Sequence, residues 1–167
     1  PKVGPVVISE IMYHPLNTCS LGSPNDEFIE LRNISSGPVP LFDRLQPADT
    51  WRVRGGVDFD FPANITLTAG QAVLLVGFDP TDAVASAAFR SRYGLSADVL
   101  LFGPYLGRLD NSRERITLAE TVAALVGDRL FVMVDEVNYT DATPWPASAD
   151  GSGRSIQRKD VADYSDD

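Results

Sequence analysis

The stretch Asp26-Glu27-Phe28-Ile29-Glu30-Leu31-Arg32-Asn33 alternates charged and apolar side chains at a period of two, then runs into Ile34-Ser35-Ser36-Gly37-Pro38. A period of two sends successive side chains to opposite faces of an extended chain. The stretch therefore reads as a strand with Ile29 and Leu31 toward a core and Glu30 and Arg32 toward water. The Ser-Gly-Pro run ends it. A half-buried strand needs neighbours on its edges and a cover for its apolar face, so the rest of the chain must supply further strands.

It does. Val6-Val7-Ile8-Ser9-Glu10-Ile11-Met12 is rich in β-branched residues and stops at His14-Pro15, because proline lacks a ladder donor and biases the residue before it away from helix. Residues 37–42 carry two prolines and suit an extended edge. Trp51-Arg52-Val53-Arg54 and Val57-Asp58-Phe59-Asp60-Phe61 both alternate, and Gly55-Gly56 between them predicts a hairpin with Val57, Phe59 and Phe61 facing the core. Ile65-Thr66-Leu67 resumes the strand pattern, and residues 71–76 are apolar on both faces, as in a central strand. Strands are also predicted at 99–102, 115–119, 130–137 and 155–158. The third of these changes apolar phase near Asp135, which predicts a bulge or a strand leaving the core.

One helix is predicted, over about 80–93. Asp79 or Thr81 would cap it, Pro80 suits an early position, Val84, Ala88 and Phe89 would face inward, and Gly94 would end it. Short strands separated by Gly, Pro and Asn turns indicate an all-β sandwich or barrel, and one crossover helix does not change the class. Residues 1–162 are read as a single domain and 163–167 as a tail or linker.

With 167 residues, 44% of them hydrophobic, the chain can bury a sizeable core. No apolar run approaches membrane-spanning length, so no membrane insertion is expected. The chain begins at Pro1 without a basic-then-apolar leader and is read as a domain from a longer protein or one whose leader has been removed. A net charge of −9, from 23 acidic and 14 basic residues, argues against nucleic acid as a partner, which would require Lys and Arg to replace phosphate counterions. Cys19 is the single cysteine and forms no internal disulfide.

Candidate chemistry is sparse. His14 and Cys19 lie five residues apart, but no orienting group or GxSxG elbow accompanies them, and two His/Cys residues fall short of a zinc site. Glu10, Glu30, Asp58, Asp60 and Asp135-Glu136 are abundant carboxylates, and the plainer role for Glu10 and Glu30 is to anchor backbone or pair with arginine. Asp26 and Glu27, beside the Asn25 loop, are the candidate calcium ligands. Asp150-Gly151-Ser152-Gly153 lacks the alternating ligands of a calcium loop. Trp145, between Pro144 and Pro146, is the candidate ligand-binding residue for a sugar ring, with packing over a sandwich end as the competing role; Trp51 reads as core. Asn33, Asn64 and Asn138 begin Asn-x-Ser/Thr sequences.

Taken together, Ile8 through Pro15, the 26–33 strand, Phe59 through Gly70, Asp135-Glu136-Val137-Asn138-Tyr139, Thr143-Pro144-Trp145-Pro146 and Asp150-Gly151-Ser152-Gly153-Arg154-Ser155-Ile156 resemble a lamin-tail domain of the bacterial type. That resemblance spans nearly the whole chain. It implies an immunoglobulin-like β-sandwich serving as a non-catalytic binding or scaffolding module. The module would belong to a larger exported bacterial protein, secreted or held at the cell surface or in the periplasm. Its partners would be a protein or cell-surface component and the parent chain's other domains. The alternative is a calcium-dependent or carbohydrate-binding adhesion module accessory to an enzyme. No cofactor is expected apart from that calcium, and no enzymatic activity. The helix at about 80–93 departs from the compact lamin form.

Overall fold

The structure is a computed structural model that describes residues 4–16, 24–122 and 129–161. Twelve strands and one α-helix are found among them: β1 (Val6–Met12), β2 (Phe28–Asn33), β3 (Val39–Pro40), β4 (Arg52–Arg54), β5 (Val57–Asp60), β6 (Thr66–Leu67), β7 (Ala72–Val76), α1 (Ala83–Tyr93), β8 (Leu100–Phe102), β9 (Leu106–Gly107), β10 (Arg113–Val122), β11 (Leu130–Thr140) and β12 (Ile156–Gln157). The first sheet has the order β12-β1-β2-β7-β8 and the second β11-β10-β4-β5-β9, while β3 and β6 form a two-stranded piece. This is the expected all-β sandwich with one crossover helix. The proposed tail, residues 163–167, lies outside the described residues.

The 26–33 strand is β2, second neighbour to an edge, paired antiparallel with β1 and β7. Its phase is as read from the sequence: Ile29 and Leu31 are fully buried and join Val53, Ile116, Leu118 and Trp51 in the layer between the sheets. The opposite face is less wet than the alternation suggested. Phe28, Met12, Leu74 and Val76 form a second apolar cluster on the outside of the first sheet, and α1 covers it with Phe89. Phe28 meets Phe89 and Tyr93 edge-on, at ring separations of 6.0 and 5.1 Å. Burial of Phe89 is worth about 1.5–3 kcal/mol and anchors the helix to the sheet. Glu30 and Arg32 are half-buried and pair with each other at 3.3 Å, while Glu30 also accepts the Ser9 hydroxyl at 2.6 Å.

The helix differs from expectation at its start and on its face. Its cap is Asp82, whose carboxylate accepts the Val84 and Ala85 amides. Asp79 instead folds back on the Thr81 amide and hydroxyl, which closes a local turn ahead of the helix. Val84 and Ala88 face solvent; Ala85, Phe89 and Tyr93, spaced four apart, face the sheet. Gly94 ends the helix in the left-handed conformation, as read. The β7–α1–β8 unit joins parallel strands, the arrangement that needs a crossover.

The hairpin at Gly55-Gly56 joins β4 to β5. The phase change near Asp135 is a bulge: Leu118 faces Asp135 and Ala119 faces Met133, so Val134 is the extra residue. A second bulge lies at Ser9 in β1. The two-residue strand β9, beside β5, was not legible beforehand. Among the described residues, no helix is long and apolar enough to cross a membrane.

Candidate functional site

Asp26 and Glu27 sit at the mouth of β2, where a short 3₁₀ turn, Pro24–Asp26, delivers them. Glu27 is almost wholly buried. It accepts the Leu109 amide at 3.0 Å, and Arg108 approaches its other oxygen at 3.4 Å. Burial pushes the Glu27 carboxyl up from its ordinary range, against the pull of the Leu109 amide and Arg108. Asp26 pairs with Arg92 at 3.0 Å, and its backbone carbonyl accepts the Tyr93 hydroxyl at 2.5 Å. Burial raises Asp26 as well, with Arg92 opposing. The buried Tyr105 hydroxyl feels the Glu27 charge but falls short of hydrogen-bond geometry with it. These two neighbours in sequence thus face different arginines. A calcium ion there would have to displace both, and a bound amide too. Among the described residues no three His, Cys, Asp or Glu converge as metal ligands.

The carboxylates Glu10, Glu30, Asp58 and Asp60 are locally engaged. Glu10 accepts the Ser155 hydroxyl, Glu30 has Ser9 and Arg32, and Asp58 and Asp60 face Arg54. His14 is brought against Asp150, Nδ1 to Oδ1 at 2.5 Å, and its carbonyl accepts the Gly151 amide. This fastens the 150–153 loop to the end of β1. Cys19 lies outside the described residues, so its pairing with His14 is not placed. Trp51 is core. Trp145 is partly buried and packs against that same core. Of the three sequon asparagines, Asn33 is fully buried; its amide donates to the carbonyls of Gly37, Leu67 and Thr68, which ties the end of β2 to β6. Asn64 and Asn138 are exposed.

The feature least legible beforehand is the start of β11. This strand is the outer edge of the second sheet, and its first residues extend, with the end of β10, past the span that β4 covers. Leu130, Val132 and Met133 are 54%, 47% and 58% exposed there, an uncharged run on an otherwise acidic protein. Just beyond, Gly4 packs so closely on Val134 that a Cβ would collide with its side chain, so the edge is covered from that point. The other sheet edges, β8, β9 and β12, are only two or three residues long. The register puts Phe131 and Met133 on the outer face with Thr121 and Ala119, and puts Leu130 and Val132 on the other face with Val122 and Glu120.

Arg52 reaches this edge from two strands away. It lies opposite Ala119 in register, and its guanidinium carbon sits 3.4 Å from the centre of the Phe131 ring. Its buried Nε has no acceptor among the described residues. Asp60, its cross-strand neighbour, is engaged by Arg54 instead, at 2.6 Å. A sequence signal for this existed only in part: Arg52 alternates with Trp51 and Val53, which fixes its outward face but not its partner.

No family model matches this chain and no curated protein matches it, so the likeness to lamin-tail domains rests on the residue runs that suggested it.

Proposed function

We propose that the chain is a non-catalytic binding module of lamin-tail type, part of a larger exported bacterial protein, that makes protein–protein or cell-surface contacts through a strand edge. The observation that carries this reading is the apolar start of β11, Leu130 to Met133, which no strand covers among the described residues, on a sandwich whose other edges are short. Natural sheets blunt long edges with charge, proline or a covering segment, and an edge left apolar marks a place for pairing. The non-enzymatic part of the proposal is supported by the candidate carboxylates Glu10, Asp26, Glu27 and Glu30, each of which serves a neighbouring arginine, hydroxyl or amide. The calcium-dependent alternative has less support, because Asp26 and Glu27 are already held by Arg92, Arg108 and the Leu109 amide.

The test is site-specific photo-crosslinking in the producing cell. A crosslinking amino acid at position 132 should give discrete protein adducts, while the same group at Leu45, which is 84% exposed on a loop, should not. Equal labelling at both positions, or none at 132, would remove the edge as the contact surface.

A further inference from the structure

We propose that the free edge of β11 takes an extended peptide as an added strand, and that Arg52 selects an acidic side chain on the outer face of that strand. The proposal rests on the binding-module reading above and names its partner's chemistry.

Three observations converge. The backbone edge of Leu130 to Met133 has no strand beside it among the described residues, and β11 ends the sheet order. A peptide laid there gains main-chain hydrogen bonds, and its alternate side chains fall on two different surfaces. On one surface the peptide meets Leu130 and Val132, with Glu120 opposite Val132 in register, so apolar side chains fit and acidic ones are repelled. On the other it meets Phe131, Met133 and the Arg52 guanidinium. Among the described residues that guanidinium has no carboxylate partner and its Nε has no acceptor. On the same outer face, Arg54 is paired with Asp60 and Arg115 with Glu136, both at 2.6 Å. An Asp or Glu on the added strand would supply the missing counter-charge, a planar carboxylate against a planar fork.

The same charge disfavours a second copy of this chain as the occupant. Antiparallel pairing of β11 with β11 about a twofold axis keeps the two outer faces on one side. It would bring two uncompensated arginines to the same side of the seam.

The experiment pans a displayed library of linear octapeptides against the immobilised domain, then measures synthetic versions of the enriched sequences by calorimetry and amide hydrogen exchange. The expected peptides carry one Asp or Glu flanked at alternate positions by apolar residues, and they slow exchange at residues 130–133. Arg52→Gln should weaken them by roughly tenfold, the worth of one charge-assisted contact, with Arg52→Lys in between. Thermal melting of both variants checks that the fold is intact. Enriched peptides without an acid, or equal affinity for Arg52→Gln, would overturn the choice of partner while leaving a binding module in place. Exchange protection elsewhere, no enrichment, or dimerisation through β11 in sedimentation would overturn the proposal outright; the crosslinking at position 132 judges the module reading separately.

Discussion

Arg158 places a guanidinium nitrogen 2.6 Å from the Asp135 carboxylate, with only 4% and 6% of the two side chains exposed. The pair does more than attract. Asp135 accepts the Ile8 amide at 2.7 Å, and Arg158 donates to the Ile8 carbonyl from its side chain and to the Ser9 carbonyl from its backbone. These are edge groups of β1 that β12 is too short to reach, at the point where Ser9 bulges out of the β1–β2 ladder. Two side chains thus continue a strand's pairing and join the two sheets. Burial pushes the Asp135 carboxyl up even with the amide and arginine opposing it, so desolvation outweighs the attraction. Removing one partner should therefore be severe. Arg158→Met is expected to lose about 3–5 kcal/mol of stability in urea unfolding, much of a small domain's total. A loss under 1 kcal/mol would show that the pair is dispensable.

Glu27 gives a pH prediction with a definite sign. Its folded-state pKa is raised, by burial first, so the folded protein holds that proton more tightly than the unfolded chain does. Its contribution to stability is then unfavourable at neutral pH and improves as the pH falls through the raised value toward the ordinary carboxylate range. Glu27→Gln keeps an acceptor for the Leu109 amide and removes the titration. Relative to the wild type, the variant should be more favoured at pH 7 than at pH 4.5, by urea unfolding at both. A difference that grows on acidification would contradict the assignment.

Gly55 is required by geometry. Its φ is +128°, and a Cβ there would drive into the Arg115 carbonyl of the neighbouring strand, whereas Gly37 has nothing within 4 Å of a built Cβ. Gly55→Ala should cost about 3 kcal/mol, a fall in melting temperature of roughly 6–12 °C, since the obstacle is backbone. Gly37→Ala should stay within about 0.5 kcal/mol. Calorimetric melting of the two variants side by side is the check.

The helix divides the same way. Phe89→Ala should cost about 3 kcal/mol or more and raise amide exchange across α1, because Phe89 is the helix's one buried side chain and touches Phe28 and Phe78. Val84→Lys, at a position 80% exposed, should leave both unchanged.

What could be read in the sequence was what depends on neighbours in sequence. The phase of Ile29 and Leu31, the Gly55-Gly56 turn and the irregularity at Asp135 are all local patterns, and each is present in the structure. The cap at Asp82 was missed because Asp79, Thr81 and Asp82 offer similar chemistry within four residues, and only the path of the chain chooses among them. The engagements of Glu27 with Leu109 and of Asp135 with Ile8 span 82 and 127 residues, and no periodicity encodes those partners. The apolar start of β11 reads like any core strand, since its exposure follows from its place at the sheet edge, which no local pattern encodes.

The antiparallel pairing of β1 with β12 sets how the domain would respond to tension. Glu10 faces Gln157 and Ile11 faces Ile156, so the chain leading into β1 and the chain leaving β12 depart from the same end of that ladder. Force drawn through both would load the pairs one after another, like a zip, instead of shearing them together. Arg158 stands at the opening of that zip, bound to Ile8, Ser9 and Asp135. In a chain pulled from both sides, this residue would latch that end of the ladder.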